Sequence, residues 1–261
     1  MKDVFDYNSI TELPNTEISH LQLKRSFQRY CFAKNLASNG KIVEIGCGGG
    51  QGLNLFLEVS NNIIGYDINK NNIETCNKTY KNETRINFFQ QDAEKLKFEK
   101  NSVNTFLIFE TNYYLKNQEI FFKNLYEALE KDGKVIVCSA NKDWHSFNPS
   151  PFSTKYLSLK ELHDLGKQCS FEVETFISFP DKSSTVFDKI IKTIKRIAVK
   201  FRLIPKTMKG KLLLKKIFSG KMCLMPEKFT NDTDDYIPPT KTISLEKDIY
   251  STAIFAVYTK K

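Results

Sequence analysis

Lys41-Ile42-Val43-Glu44-Ile45-Gly46-Cys47-Gly48-Gly49-Gly50-Gln51-Gly52 is the stretch on which the reading of this chain turns. Residues 41–45 have the apolar, β-branched make-up of a short buried strand. They run without a break into a loop with glycine at 46, 48 and 50, and Leu53, Leu55, Phe56 and Leu57 predict an apolar helix behind it. Glycine at such a turn permits positive φ and leaves bare backbone for a ligand to approach. Strand, glycine turn and helix in that order predict the nucleotide-binding entrance of a doubly wound α/β sheet.

The spacing narrows the nucleotide. The dinucleotide fingerprint G-x-G-x-x-G needs its third glycine three positions after the second. Gly46 and Gly48 satisfy the first half, but position 51 is Gln51. The pattern present is acid-x-G-x-G-x-G, formed by Glu44, Gly46, Gly48 and Gly50. It resembles the first motif of the class I S-adenosylmethionine-dependent methyltransferases. Their cofactor ends in an ammonium and a carboxylate, which a nearby carboxylate and free amides suit, whereas a pyrophosphate asks for helix amides and tight glycine packing. The resemblance implies a cofactor-binding role for Glu44, Gly46, Cys47, Gly48 and Gly50, with Cys47 present for its small size. A nicotinamide-dependent oxidoreductase shares strand, loop and acid, and stands as the alternative.

Further landmarks follow in register. Asn62 to Asp67 reads as a second strand, and Asp67 lies about 20 residues beyond the glycine turn, where a ribose-binding carboxylate belongs. The competing role for Asp67 is an N-cap for a helix starting near Lys70. Ile68, beside it, is counted with the cofactor site. Arg85 to Gln90 is a third strand leading into Gln91-Asp92-Ala93-Glu94, and the resemblance implies that Asp92 and Ala93 meet the adenine amino group. Val103 to Phe109 is a fourth strand, with Phe109 assigned to the cofactor and Glu110-Thr111-Asn112-Tyr113-Tyr114 at the switch-point crevice. A helix over Gln118–Glu130, a turn at 131–134 and a strand from Val135 to Ala140 come next. A helix over Leu159–Gln168 and strands over 171–179 and 252–258 complete the pattern. The predicted fold is α/β: a doubly wound, seven-stranded, mostly parallel Rossmann-like sheet with a basic helical insertion before the last strand.

With 261 residues, 41% of them hydrophobic, the chain can bury the core of one large domain. No secretion signal and no apolar run of membrane-spanning length is evident. Six cysteines, at 31, 47, 76, 138, 169 and 223, are scattered without a C-x-x-C pair. That spacing suits neither zinc nor a disulfide framework and points to a reducing cytoplasm. Residues 17–38 read as a helical lid carrying Arg25 and Arg29; an arginine there could meet the methionyl carboxylate, or both could face water. Residues 180–250 form the insertion between strands six and seven. Fourteen Lys or Arg against Asp188 and Glu227 give residues 182–228 a local balance of +12, against +9 for the whole chain. Phe187, Ile190, Ile191, Ile194, Ile197, Ala198 and Phe201 follow amphipathic helical spacing, and Lys209 to Phe218 can form a second helix. Three uses fit: an extra helical layer, a lid attracting an anionic substrate, or peripheral contact with anionic lipid or nucleic acid.

Methyl transfer from a sulfonium is an in-line displacement that requires a nucleophile held at the methyl carbon with water excluded. A neutral hydroxyl acceptor calls for a base. His145, in the loop after the fifth strand, is the candidate by position and titration range. Glu110 could serve as base or hold the substrate, and Tyr113 and Tyr114 could wall the acceptor pocket. An acceptor already anionic would need no base. Amino-methylating nucleic-acid enzymes carry an Asp/Asn-Pro-Pro-aromatic motif after the fourth strand; Glu110-Thr111-Asn112-Tyr113 stands there instead, which disfavours RNA or DNA amino methylation. Phe109 to Leu115, Ala140 to Trp144, Asn148 to Pro151 and Ile197 to Gly210 look similar to methyltransferases of bacterial surface-polysaccharide clusters. That resemblance implies O-methylation of a sugar, sugar nucleotide or phosphorylated capsule precursor such as a phosphoramidate.

Overall fold

In the computed structural model, residues 11–180 and 221–261 are described. Strand β1 (Glu17–Ser19) leads into helix α1 (His20–Leu36), followed by β2 (Lys41–Ile45), β3 (Asn62–Asp67), α2 (Lys70–Thr79), β4 (Ile86–Gln90) and β5 (Val103–Phe109). Helix α3 (Gln118–Ala128), β6 (Leu129–Ala140), α4 (Leu159–Gln168), β7 (Glu172–Pro180), β8 (Met222–Leu224), β9 (Thr240–Thr242) and β10 (Ser251–Thr259) complete the order.

The main sheet has eight strands in the order β4-β3-β2-β5-β6-β10-β7-β9. From β4 to β6 every pairing is parallel. β10 enters antiparallel between β6 and β7, and β9 pairs antiparallel at the far edge. The direction of the sequence between β2 and β5 reverses across the middle of the sheet, so a crevice opens at the carboxyl ends of these two neighbours.

The alternation of burial explains why the sheet is covered on both sides. Ile42, Phe56, Leu107 and Phe255 face α1 and α2 in one apolar cluster. Val43, Phe106, Ile108 and Tyr258 pack with α3 and α4 in the other. Each large apolar side chain withdrawn fully from water contributes about 1.5–3 kcal/mol. The helix starts are set by local chemistry: Ser19 with Gln22, and Ser158 with Glu161, form capping boxes on α1 and α4.

All seven predicted strands are present, and several boundaries differ. The eighth strand, β9, is three residues long, too short to register as a hydrophobic period. The predicted helix after the glycine loop is a six-residue 3₁₀ segment, Leu53–Glu58. Helix α3 ends at Ala128 because Leu129 turns extended and pairs with Val103. Residues 17–19 are strand, not helix, and pair with β8. Both predicted basic helices lie within 181–220, outside the described residues. The described remainder of the insertion, 221–250, is not helical: it carries β8, β9 and loops.

Candidate functional site

The glycine loop leaves β2 with Gly46 at φ +79°, Gly48 at +54° and Gly50 at +69°, conformations that side chains other than glycine rarely adopt. At Gly46 a Cβ would also lie 2.1 Å from Thr111 Oγ1, so two loops meet there with no room between them. The loop amides are not free. Gly46 and Cys47 donate to the Tyr66 carbonyl at 2.7 and 3.0 Å, Gly50 donates to Cys47 O at 2.9 Å, and Gly48 donates to Asp67 Oδ2 at 2.9 Å. An expected row of open donors is therefore replaced by amides held by two backbone carbonyls and one buried carboxylate. The free amides expected to meet the methionyl end of the cofactor are thus not found at Gly46, Cys47, Gly48 and Gly50.

Asp67 also accepts from Asn69 N at 2.8 Å and Asn72 Nδ2 at 3.2 Å. Asn69, not Asp67, caps α2. Burial raises the Asp67 carboxyl, and the Asn69 and Gly48 amides with Asn72 oppose the rise.

These groups line a cavity of about 1190 Å³. Glu44, Gly46, Cys47, Gly48, Asp67, Ile68, Asp92, Ala93, Phe109, Glu110 and Tyr114 all border it. Gly50 does not: it shapes the turn, packed against Cys76 and Phe88. Cys47 is buried, and its contact with the Cys76 thiol together with burial pushes its own thiol well up. Asp92 caps the short 3₁₀ segment Ala93–Lys95, accepting from Glu94 N at 3.1 Å.

Helix α1 closes one side of the cavity with Arg25, Ser26, Arg29 and Tyr30. Tyr30 donates its hydroxyl hydrogen to Glu44 Oε1 at 2.7 Å, while Glu44 Oε2 is buried without a partner. Burial pushes the Glu44 carboxyl up to about 8, against the opposing Tyr30 hydrogen bond and Arg29 charge. Arg29 Nε is likewise buried without a hydrogen-bond partner. One orphaned acid oxygen and one orphaned cationic donor on the same cavity complement a ligand that carries an ammonium and a carboxylate.

Across the crevice, Glu110 sits at φ +51°, a strained conformation for a residue with a side chain. Its Oε2 accepts from Tyr113 OH at 3.0 Å and its Oε1 lies 3.9 Å from Arg29 Nη1. Burial raises this carboxyl, and Arg29 and Tyr113 hold the rise in check. Tyr113 stacks on Tyr156 with centroids 4.0 Å apart, and Tyr114 donates to Ser150 Oγ at 2.8 Å.

His145 requires a correction. It does not line the cavity; its Nδ1 lies 3.0 Å from the Ile249 carbonyl, and its backbone amide donates to the same oxygen. The histidine joins two loops. Several wall residues escaped sequence reasoning: Thr11 and Glu12, Gln22 and Met225. Nothing local marks them. Gln51, noted only as a missing glycine, donates to the Glu12 carbonyl at 2.7 Å and accepts from Phe229 N at 2.7 Å. It ties two distant segments to the loop. Among the described residues no helix is long and apolar enough to cross a membrane.

Comparison with known proteins bears on this site. Residues 43–137 match a family model described as a methyltransferase domain. The chain is 27% identical over 139 residues to a Mycolicibacterium smegmatis protein named "Probable S-adenosylmethionine-dependent methyltransferase", covering 51% of this chain and 52% of that one. It is 26% identical over 126 residues to the ubiquinone biosynthesis O-methyltransferase of Rickettsia typhi, covering 48% and 51% respectively. The chain thus spans about half the length of the curated relatives it matches. The fold is similar to that of a SAM-dependent methyltransferase from Archaeoglobus fulgidus, with a TM-score of 0.56, 17% identity and coverage of 93% and 95% of the two chains. Residues 43–137, built on the glycine loop, Asp67 and the crevice, form a methyltransferase domain of the S-adenosylmethionine-dependent class.

Proposed function

We propose that the whole chain is an S-adenosylmethionine-dependent O-methyltransferase acting on a small molecule. The observation that carries this reading is one cavity bordered by two kinds of group. On one side are Asp67 and the paired orphans Glu44 Oε2 and Arg29 Nε; on the other is the buried carboxyl of Glu110. Asp67 would hold the ribose hydroxyls, Asp92 and Ala93 the adenine end, and Glu44 with Arg29 the methionyl end. Ile68 and Phe109 supply apolar wall. When bound, S-adenosylmethionine supplies a methyl carbon made electrophilic by sulfonium.

The protein's own part is positioning and proton transfer. Glu110, raised by burial toward the working range of a base, accepts the proton of a hydroxyl acceptor. Tyr113 and Arg29 fix the orientation of its two oxygens. Residues 17–38 act as the lid of a single domain, and the segment 182–228 supplies either attraction for an anionic substrate or peripheral contact with an anionic surface.

For the acceptor, the resemblance to surface-polysaccharide enzymes supports a sugar, sugar nucleotide or phosphorylated capsule precursor. A second reading, a planar aromatic hydroxyl, is favoured by the rings of Tyr113, Tyr114, Phe152 and Phe179 on the cavity wall. The test is methyl transfer by the full chain from labelled S-adenosylmethionine to three panels: sugar nucleotides and phosphorylated sugars, phenols and catechols, and total RNA. Label in either small-molecule panel supports the proposal and selects the acceptor class. Label in RNA alone, or binding of reduced nicotinamide without S-adenosylmethionine, would overturn it.

A further inference from the structure

Glu44 and Tyr30 form a pair that the proposed reaction does not by itself explain. The carboxyl of Glu44 is fully withdrawn from solvent, in the strand that launches the glycine loop. Its hydrogen-bond donor among the described residues is a phenol from α1, fourteen positions earlier in the chain. The phenol has little freedom to move. Its ring meets Phe109 edge-on at 5.0 Å, Phe229 at 5.8 Å and Phe56 at 6.4 Å. It also lies flat against the backbone of Gly52, where a Cβ would fall 2.1 Å from the ring. Three segments of the chain thus fix where the ring sits. Since a carboxylate has about four acceptor sites and the phenol fills one, Glu44 Oε2 is left unpartnered.

We infer that Tyr30 is a positioning residue of the cofactor site: its hydroxyl orients the Glu44 carboxyl from α1 and couples the seating of that helix to capture of a ligand's cationic ammonium group. The inference rests on the proposed S-adenosylmethionine site and adds a linkage to it. Loss of the Tyr30 donor leaves the buried Glu44 without its hydrogen bond, so the acid holds its proton to higher pH and meets an ammonium group less readily.

The surroundings of Glu44 are fully specified. Tyr30 and Arg29 face it from α1, Asp67 from β3, Cys47 from the loop, and Tyr80 from the end of α2. Of these, Tyr30 and Arg29 favour the ionised form of Glu44, whereas burial and Asp67 oppose it. In the unliganded protein the acid stays protonated up to about pH 8. Binding an ammonium group beside it releases that proton.

The experiment is calorimetric titration of the full chain with S-adenosylmethionine from about pH 6 to about pH 9, in buffers of differing ionisation heat, for wild type, Tyr30→Phe and Glu44→Gln. In the wild type, affinity rises with pH, levels off near pH 8, and a proton leaves on binding below that. Tyr30→Phe moves the rise upward by about one pH unit and weakens binding near pH 7 by about tenfold, with the gap closing at high pH. Glu44→Gln abolishes both pH dependence and proton release. A Tyr30→Phe profile matching wild type, or weakened equally at every pH, would sink the inference and reduce Tyr30 to packing. Should Tyr30→Phe fail to fold, an unaltered pH profile in Glu44→Gln sinks it equally. Absence of wild-type binding at any pH would instead remove the proposed cofactor site itself.

Discussion

Asp67 ends β3 and Glu110 follows β5, strands separated in the sheet by β2; both are buried carboxyls bordering one cavity, yet they are held in different ways. Asp67 is gripped by two backbone amides and a side-chain amide, all neutral donors that favour the charge and have no proton of their own to exchange. Glu110 also takes one backbone amide, from Ala140, but is otherwise approached by the Tyr113 phenol and, at longer range, by the guanidinium groups of Arg29 and Arg25, on a backbone in the left-handed region. The first arrangement fixes a carboxylate as a static acceptor. The second leaves a carboxyl whose proton affinity responds to what arrives. The contrast teaches that burial alone does not assign a role to an acid; the kind and charge of the groups around it do.

The sharpest way to break the comparison is Glu110→Gln. If Glu110 is the base, turnover falls by about 10²–10⁴-fold with cofactor affinity nearly unchanged; steady-state kinetics and calorimetry on one preparation check both. Unchanged turnover would make the two carboxyls alike. Gly46→Ala comes next, because its Cβ would overlap Thr111 Oγ1 in a positive-φ position. It should destabilise the fold by about 1–3 kcal/mol, read as a lower urea midpoint. Asp67→Ala should weaken S-adenosylmethionine binding by about 1–3 kcal/mol and lower thermal stability, since the Gly48 and Asn69 amides lose their acceptor.

Glu44 sharpens the picture by pH. Its folded-state proton affinity is raised, so the native state holds a proton that the unfolded chain gives up. Stability of the unliganded protein therefore falls as pH rises from the ordinary carboxyl range to about 8 and is level in this respect above it. Urea denaturation at several pH values measures that slope. The smallest effect expected is at His145: replacement by alanine removes a bond to the Ile249 carbonyl, outside the cavity, and should leave turnover within about twofold. A large loss of turnover at unchanged stability would return the histidine to the site.

The parallel half of the sheet was legible because its signals are local. Each strand is an apolar run, each ligand-facing residue follows its strand directly, and the loop advertises itself by glycine. What stayed hidden depends on contacts between distant positions. Tyr30 reaches Glu44 across α1 and β2, Arg29 approaches Glu110 across the crevice, and Met225 joins the wall from within the insertion. His145 looked available in the sequence because Ile249, which occupies it, lies 104 positions away. Strands of three residues, such as β1, β8 and β9, contain too few alternations to be read.

The place of β10 has a consequence for how the molecule is made. This strand is the last of the sheet to leave the ribosome, yet it stands between β6 and β7. Until it arrives, β6 presents a bare apolar edge and β7 has only the three-residue β9 to pair with. The nascent chain must wait with a half-built sheet, a state prone to pairing with the wrong edge. Completion of the sheet is thus deferred until β10, later in the chain than β6 and β7, closes the gap as a keystone does an arch.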